Sequence, residues 1–498
     1  MSGLTDEVDL LVTGGEVVRP GSAGHEVERL DVAVVDGRIT GLLAPGDPRP
    51  GVVRRELSAL GCLVVPGFVN AHSHSYGMLG RTQADLLPLE PWMVYANAIT
   101  ANRTEREVAL AATLSCVELV RSGTTTVLDH LGGQVSGLGA AAQAYLDFGM
   151  RAVVAPMIGD VPLHHTVELT GAQWPSALWE ELEAAPVPSA GALLDATKDL
   201  LGSWHGREGR IRVFVGPSGP QRCTDDLLRG CAELAADFDT GVHMHLIETR
   251  NQAATVRRLY GTTAVEHLDR LGLVNERFMG AHGVWCSESE LRLLGERGAA
   301  LVHNPWSNLY VGSGIAPLTA WRRHGVRIAI GTDGANCGCD LSMPLAMRLA
   351  ASLHRAHAFD PAQWPTPGEI FTAATAGSAA ALGWADEIGT VEEGKAADLA
   401  VIDASGTAYV PRYDPLAQLV YGETGGNVRH TVIAGQVVMQ DRVIASVDER
   451  DLLREAQEAA TALRQRNDGL FRAADAQAEV LSRASATAPV PADWPGAG

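Results

Sequence analysis

The stretch Pro66–Ser75, PGFVNAHSHS, decides the reading of this chain. An apolar, strand-like run, Leu63–Val69, leads into two histidines spaced i and i+2, His72 and His74. On a strand those two side chains share one face, so both imidazoles can grip one cation. Two polar loop histidines are the plain alternative, and the pair alone leaves it open.

Working outward, strand-like and helical runs alternate through the middle of the chain. After Leu63–Val69 the strand candidates are Thr125–Asp129, Arg151–Pro156, Ile211–Gly216, Gly241–Leu246, Phe278–His282, Ala300–His303 and Arg327–Thr332. Helical patterns lie between them, for example at Thr104–Ser122, Asp225–Phe238, Gln252–Leu271 and Ser287–Arg297. Such alternation predicts parallel pairing, and eight units over this length match an α/β (β/α)8 TIM barrel with its chemistry at the C-terminal strand ends. Short β-branched runs at both ends of the chain, Asp9–Val18 and Asp31–Leu42, then Asp398–Asp403 and Val428–Val438, predict one small β domain built from both termini. The expected division is 1–66 plus 390–445 for that domain and 67–389 for the barrel. Residues 446–498 are expected to form a charged C-terminal helix and a frayed tail.

Other strand ends carry the same kind of residue. GVHMHLIET places His243 and His245 on one face, with Glu248 three residues on. His245 is the candidate ligand and His243 reads as a buried interior histidine. FMGAHGVW puts His282 at the end of the sixth strand, and His303 ends the seventh. In VRIAIGTDGANCGCD, Asp333 follows the eighth strand. A carboxylate there needs a partner, which a metal ion supplies; an Asp-Gly turn is the bland alternative. Three imidazoles and one carboxylate suit a single borderline divalent cation, Zn²⁺ first and Fe²⁺ second. Trp92, Gln83, Met78, Trp306 and Tyr310 lie on loops near these motifs and are candidate walls for a planar heterocycle. Asn304 and Asn308 are candidate hydrogen-bond donors or loop holders, and His130 ends the second strand.

Composition limits the function classes. The chain has 498 residues and a net charge of −20, which disfavours nucleic acid or an anionic membrane as partner. Seven scattered cysteines without a CxxC pair argue against a disulfide framework. The start shows no export signal and no run approaches the ~18 apolar residues of a membrane span, so a cytoplasmic protein is expected.

Taken together, PGFVNAHSH, LPLEPWM, GTTTVLDH, HLIET, GAHGVW, HNPWSN with GSGIAPL, GTDGA, ATAGSAAALG and GTVEEGKAADLAVID resemble the amidohydrolase superfamily. The branch resembled holds cytosine-deaminase-like, purine-type deaminases and triazine hydrolases. The resemblance runs from about Leu10 to Ile444. It implies a distorted (β/α)8 barrel with a composite β-sandwich domain and a mononuclear site with His72, His74, His245 and Asp333 as ligands. It implies substrate-acting roles for Glu248 and His282, with Asp333 as general base, Glu248 protonating a ring nitrogen and His282 polarising the attacking oxygen. A homo-oligomer is also implied.

No Lys stands in VFVGPSGP at the fourth strand's end, so a carboxylated-lysine bridge between two metals is not supported. The chain departs from the family after GTDGA. NCGCDLSMPLAMRLA replaces a common Ser-Asn-Asn and a Glu before Met-Arg, and brings Cys337 and Cys339 near the pocket mouth. That leaves the substrate open. The expected function is hydrolytic deamination of an aminated N-heterocycle: purine, pterin, pyrimidine or triazine. Cyclic amide hydrolysis or halide displacement on the same site is the alternative, and a non-catalytic binding paralogue the alternative of another class.

Overall fold

The structure is a computed structural model, and it describes residues 7–22, 24–169, 173–338, 340–356 and 360–497. The chain opens with β1 (Glu7–Gly21), β2 (Gly24–Val35), β3 (Arg38–Leu43), β4 (Val52–Ser58) and β5 (Cys62–Pro66). The barrel strands follow: β6 (Phe68–Ser73), β7 (Thr124–Leu131), β8 (Arg151–Ile158), β9 (Ile211–Val213), β10 (Gly216–Pro217), β11 (Val242–Leu246), β12 (Phe278–His282), β13 (Ala300–His303) and β14 (Arg327–Ile330). β15 (Leu399–Asp403), β16 (Val428–Ile433) and β17 (Gln436–Met439) then return to the starting sheet.

That sheet has eight strands in the order β17-β16-β15-β5-β1-β2-β3, with β4 paired to β1. Both chain ends therefore build it, as the flanking β-branched runs predict. Leu10, Val32, Ile39, Leu57, Val64, Leu399 and Val432, drawn from seven of its strands, pack into one buried cluster.

The expected first strand, Leu63–Val69, is two strands in fact. Val64 pairs with Val17 of β1 and Val401 of β15. After Gly67 the chain turns into the barrel, where Val69 pairs with Thr126 of β7. A Cβ on Gly67 would lie 2.2 Å from Thr125, so only glycine lets the chain cross between the two sheets.

The barrel is distorted. One parallel sheet runs β10-β8-β7-β6 with β9 on β8, a second runs β11-β12-β13-β14, and an isolated bridge from Val215 to Val242 joins them. The seam between β14 and β6 is closed by single bonds such as Asp333 N–H to the His72 carbonyl, 3.0 Å. Gly331 makes that seam possible: a Cβ there would meet the His72 carbonyl at 2.8 Å.

The C-terminal segment differs from expectation. After the predicted charged helix, Glu449–Arg466, comes a second helix, Asp468–Thr487. Its Phe471, Ala474, Leu481 and Ala484 recur on one face and are buried against Tyr76, Val94, Ala98 and Trp174. The tail is docked rather than frayed. Trp494 Nε1–H donates to the Val284 carbonyl at 2.7 Å, and its ring lies 4.3 Å from that of Trp285. Among the described residues no helix is long and apolar enough to cross a membrane.

Candidate metal centre and active-site cavity

The strand ends converge as the spacing predicts. His72 projects from β6 and His74 from just past its end, His245 from β11, His282 from the end of β12, and Asp333 follows β14. His72, His74, His282 and Asp333 are buried and His245 is half-buried. His74 Nε2 lies 3.2 Å from His245 Nε2 and 3.3 Å from Asp333 Oδ1, and His72 Nε2 lies 3.8 Å from the same oxygen.

The other ring nitrogens are held from behind. His74 Nδ1–H donates to the His130 carbonyl at 2.5 Å, and His245 Nδ1–H to the Ser218 carbonyl at 2.8 Å. His72 Nδ1 is 2.8 Å from His243 Nε2. Each bond leaves an Nε2 lone pair turned inward, which is the arrangement of metal-binding imidazoles. Burial and the neighbouring rings hold His72 and His245 below the ordinary imidazole value, so both are neutral at pH 7. His72 Nε2 and His282 Nε2 are enclosed without a hydrogen-bond partner. His72 with His74 and Asp333, and His72 with His245 and His282, form close groups of inward ligand atoms, and together with the orphaned nitrogen of His72 they fit one divalent cation. Asp333 Oδ2 also accepts from the Ser307 hydroxyl at 2.7 Å. Burial pushes its carboxyl up, but the imidazoles of His74 and His282 and the Ser307 hydrogen bond outweigh that and keep it ionised.

His282 and Asp333 both adopt left-handed backbone, with φ of 76° and 64°. Such φ values in residues with a Cβ cost roughly 1–3 kcal/mol each and persist where the surroundings impose them. Here they aim both side chains inward at the strand ends. His282 Nδ1–H donates to Asn308 Oδ1 at 2.8 Å, and Nε2 faces Asp333 Oδ2 at 3.6 Å. Glu248 lies beside them, 3.7 Å from His282 Nδ1, and accepts from the Ser313 hydroxyl at 2.9 Å. Burial lifts its carboxyl to about 7.

A cavity opens over this cluster, lined by His74, His245, Glu248, His282 and Asp333. Trp92 lines it too, as expected, from the helix Leu89–Thr100. The other proposed wall residues do not. Met78 and Gln83 face a groove against the helix Glu449–Arg466, because the turn Ser75–Leu79 carries them past the barrel mouth. Trp306 donates Nε1–H to the Gly338 carbonyl at 2.5 Å and is 43% exposed. Tyr310 reaches the Ala84 carbonyl at 3.5 Å and braces a loop. Asn304 is buried behind His282, with Nδ2 at 3.5 Å from its Nδ1. His303 faces Trp321 and His354 instead of the cavity. His130 and His243 lie beneath the cluster as buried interior side chains. Cys337 does line the cavity; Cys339 lies outside the described residues.

Several lining residues were missed. Met93, Ala96, Asn97 and Thr100 join Leu89 and Trp92 at i, i+3, i+4, i+7, i+8 and i+11, a helix face legible in the sequence. Gln221, Arg222 and Gln252 come from loops and a helix start that carry no such signal.

Comparison with known proteins identifies the family. Residues 63–438 match the Amidohydrolase family, and the chain belongs to it. It is a hydrolytic enzyme acting on C–N bonds. A 5-methylthioadenosine/S-adenosylhomocysteine deaminase of Syntrophobacter fumaroxidans is 34% identical over 89% of this chain and 96% of its own length. A 5′-deoxyadenosine deaminase of Methanosarcina barkeri is 30% identical over 91% of this chain and 98% of its own. Among solved structures, an adenosine deaminase from Xanthomonas campestris with bound zinc superposes with a TM-score of 0.83 and 32% identity, over 93% of this chain and 100% of its own. An atrazine chlorohydrolase from Arthrobacter aurescens complexed with zinc, at 23% identity and TM-score 0.81 over 91% of this chain and 100% of its own, shares the fold.

Proposed function

We propose that the chain is a hydrolytic deaminase of an adenine-type nucleoside or a closely related aminated purine. The observation that carries this reading is Glu248. A buried carboxyl with its pKa at about 7 stands beside a cluster of metal-type ligands, 3.7 Å from His282. Acid catalysts are tuned in this way to donate a proton near neutral pH. The deaminase names of the relatives support the choice of substrate class.

In this reading His72, His74, His245 and Asp333 hold one divalent cation, Zn²⁺ or, as the second choice, Fe²⁺. The cation supplies Lewis acidity that makes water a nucleophile at neutral pH. Asp333, kept ionised by Ser307 and the facing imidazoles, accepts a proton from the attacking water. His282, anchored by Asn308, turns Nε2 toward the attacking oxygen. Glu248 donates its proton to the ring nitrogen beside the carbon under attack. The C–N bond to the exocyclic amine then breaks and ammonia leaves, carrying the proton held by Asp333, while the hydroxyl left on the ring carbon gives its proton back to Glu248 and becomes the carbonyl. Trp92 offers its flat face to the heterocycle.

The test is ammonia release from 5′-methylthioadenosine, 5′-deoxyadenosine and adenosine by protein whose metal content is measured in parallel. Turnover of at least one with near-stoichiometric metal is expected. No ammonia from any of the three, with a cyclic amide opened instead, would overturn the deaminase reading.

A further inference from the structure

Arg222 lines the cavity and the deamination chemistry leaves it unused; among the described lining residues it is the single Lys or Arg. It ends the turn Pro220–Arg222, four residues beyond Ser218, whose carbonyl holds His245. No ion pair or side-chain hydrogen bond engages its guanidinium among the described residues, and Nη1 is enclosed with no partner at all.

Other arginines with an enclosed, unpartnered nitrogen satisfy the rest of the group elsewhere. Arg103 donates to the Thr100 carbonyl, Arg121 to Glu449, Arg348 to the Glu423 carbonyl and Arg412 to Glu16. Arg222 has no such contact. Arg222 is partly buried, and its enclosed Nη1 has lost water without gaining a partner, which is unfavourable for a charged group.

The backbone beneath it is clamped. The Arg222 carbonyl accepts from Val161 N–H at 3.1 Å, and a Cβ on Gly159 would meet that carbonyl at 2.9 Å. The side chain thus springs from a fixed base into a cavity whose carboxyl groups, Glu248 and Asp333, are engaged with Ser313 and Ser307.

We propose that Arg222 receives an anionic substituent, a carboxylate or a phosphate, carried by the heterocyclic substrate away from its reacting ring. This rests on the deaminase reading and narrows it to substrates bearing such a group. A planar guanidinium suits either anion, because it offers paired N–H donors to two oxygens. In a chain with net charge −20, one cation inside the cavity also sets the orientation in which a charged substrate enters.

The experiment compares wild type with Arg222→Met and Arg222→Lys on three substrates that share adenine. S-adenosylhomocysteine carries a carboxylate, adenosine 5′-monophosphate a phosphate, and 5′-methylthioadenosine neither. The proposal expects the kcat/KM ratio of one anionic substrate to the neutral one to fall by about 30-fold in Arg222→Met, and less in Arg222→Lys. The anion affected identifies the group. An equal loss on all three substrates, or no change in the ratio, overturns it.

Titration calorimetry of the same ligands separates this site from the deaminase reading. If wild type releases no ammonia, that reading fails. A preference of about 10-fold or more for an anionic ligand that Arg222→Met abolishes still supports the site, and no preference overturns it.

Discussion

His72 Nδ1 lies 2.8 Å from His243 Nε2, deep in the barrel and one layer below the proposed cation. The bond joins the first strand of the barrel to the fifth. A His72 that binds the cation donates Nδ1–H downward to His243 and keeps the lone pair on Nε2, which faces Asp333. His243 is fully buried and its own Nδ1 has no partner, so its hydrogen bonding is directed at His72 alone.

His243→Leu is therefore expected to keep the fold and loosen the cation. Groups that orient a metal-binding histidine typically contribute about 10–100-fold to affinity. Metal retained after dialysis against a graded chelator series measures this, and retention equal to wild type would remove the role.

Glu248→Gln is expected to lower kcat by about 100-fold or more, since proton donation is worth roughly 10²–10⁴. Stability gives an independent reading. The folded-state pKa of Glu248 is raised to about 7 from an ordinary 4.5, so the folded protein holds a proton that the unfolded chain has released. Stability from this group is thus present below pH 4.5 and falls as pH rises to about 7. At pH 8 the variant, free of that cost, should be more stable by on the order of 3 kcal/mol, with the difference vanishing near pH 4. Chemical unfolding at the two pH values measures it.

Ser313→Ala removes the hydroxyl that donates to Glu248 Oε1 and favours its ionised form. The alkaline limb of the pH–rate profile should move to higher pH, while maximal kcat falls only several-fold. A limb that stays in place would show that another group sets it.

Chelation should abolish turnover, and Zn²⁺ should restore it. Since the cation binds the folded ligand set and not the unfolded chain, its removal should also lower Tm. The expected gain at 100-fold excess over Kd is about 2.7 kcal/mol. Differential scanning calorimetry with and without added Zn²⁺ tests this.

Trp494→Ala should release the tail from the barrel mouth. It removes the hydrogen bond to the Val284 carbonyl and the packing on Trp285. A cost of about 1–2 kcal/mol and new cleavage after residue 488 in limited proteolysis are expected.

The candidates were legible because strand geometry is local: residues two apart on a strand share a face, and a parallel barrel puts every strand's C-terminal end at one mouth. The choice of His72, His74, His245 and Asp333 among them came from the family resemblance, since His303 also ends a strand and faces away. The left-handed φ at His282 and Asp333 was not readable, because neighbouring strands impose it. The same limit applied to the pocket wall. Met78 and Gln83 are near the first motif in sequence, yet the turn at Ser75–Leu79 turns them toward the C-terminal helix.

The sequence by itself determined the barrel and the sheet shared by both chain ends, because periodicity encodes them, and its family resemblance supplied the expected metal ligands and the roles of Glu248 and His282. Tertiary structure alone decided the second C-terminal helix at the barrel mouth, the His243 support beneath His72 and the unpaired Arg222 in the cavity. Those depend on contacts between residues distant in the chain, and such contacts exist only once the barrel has closed.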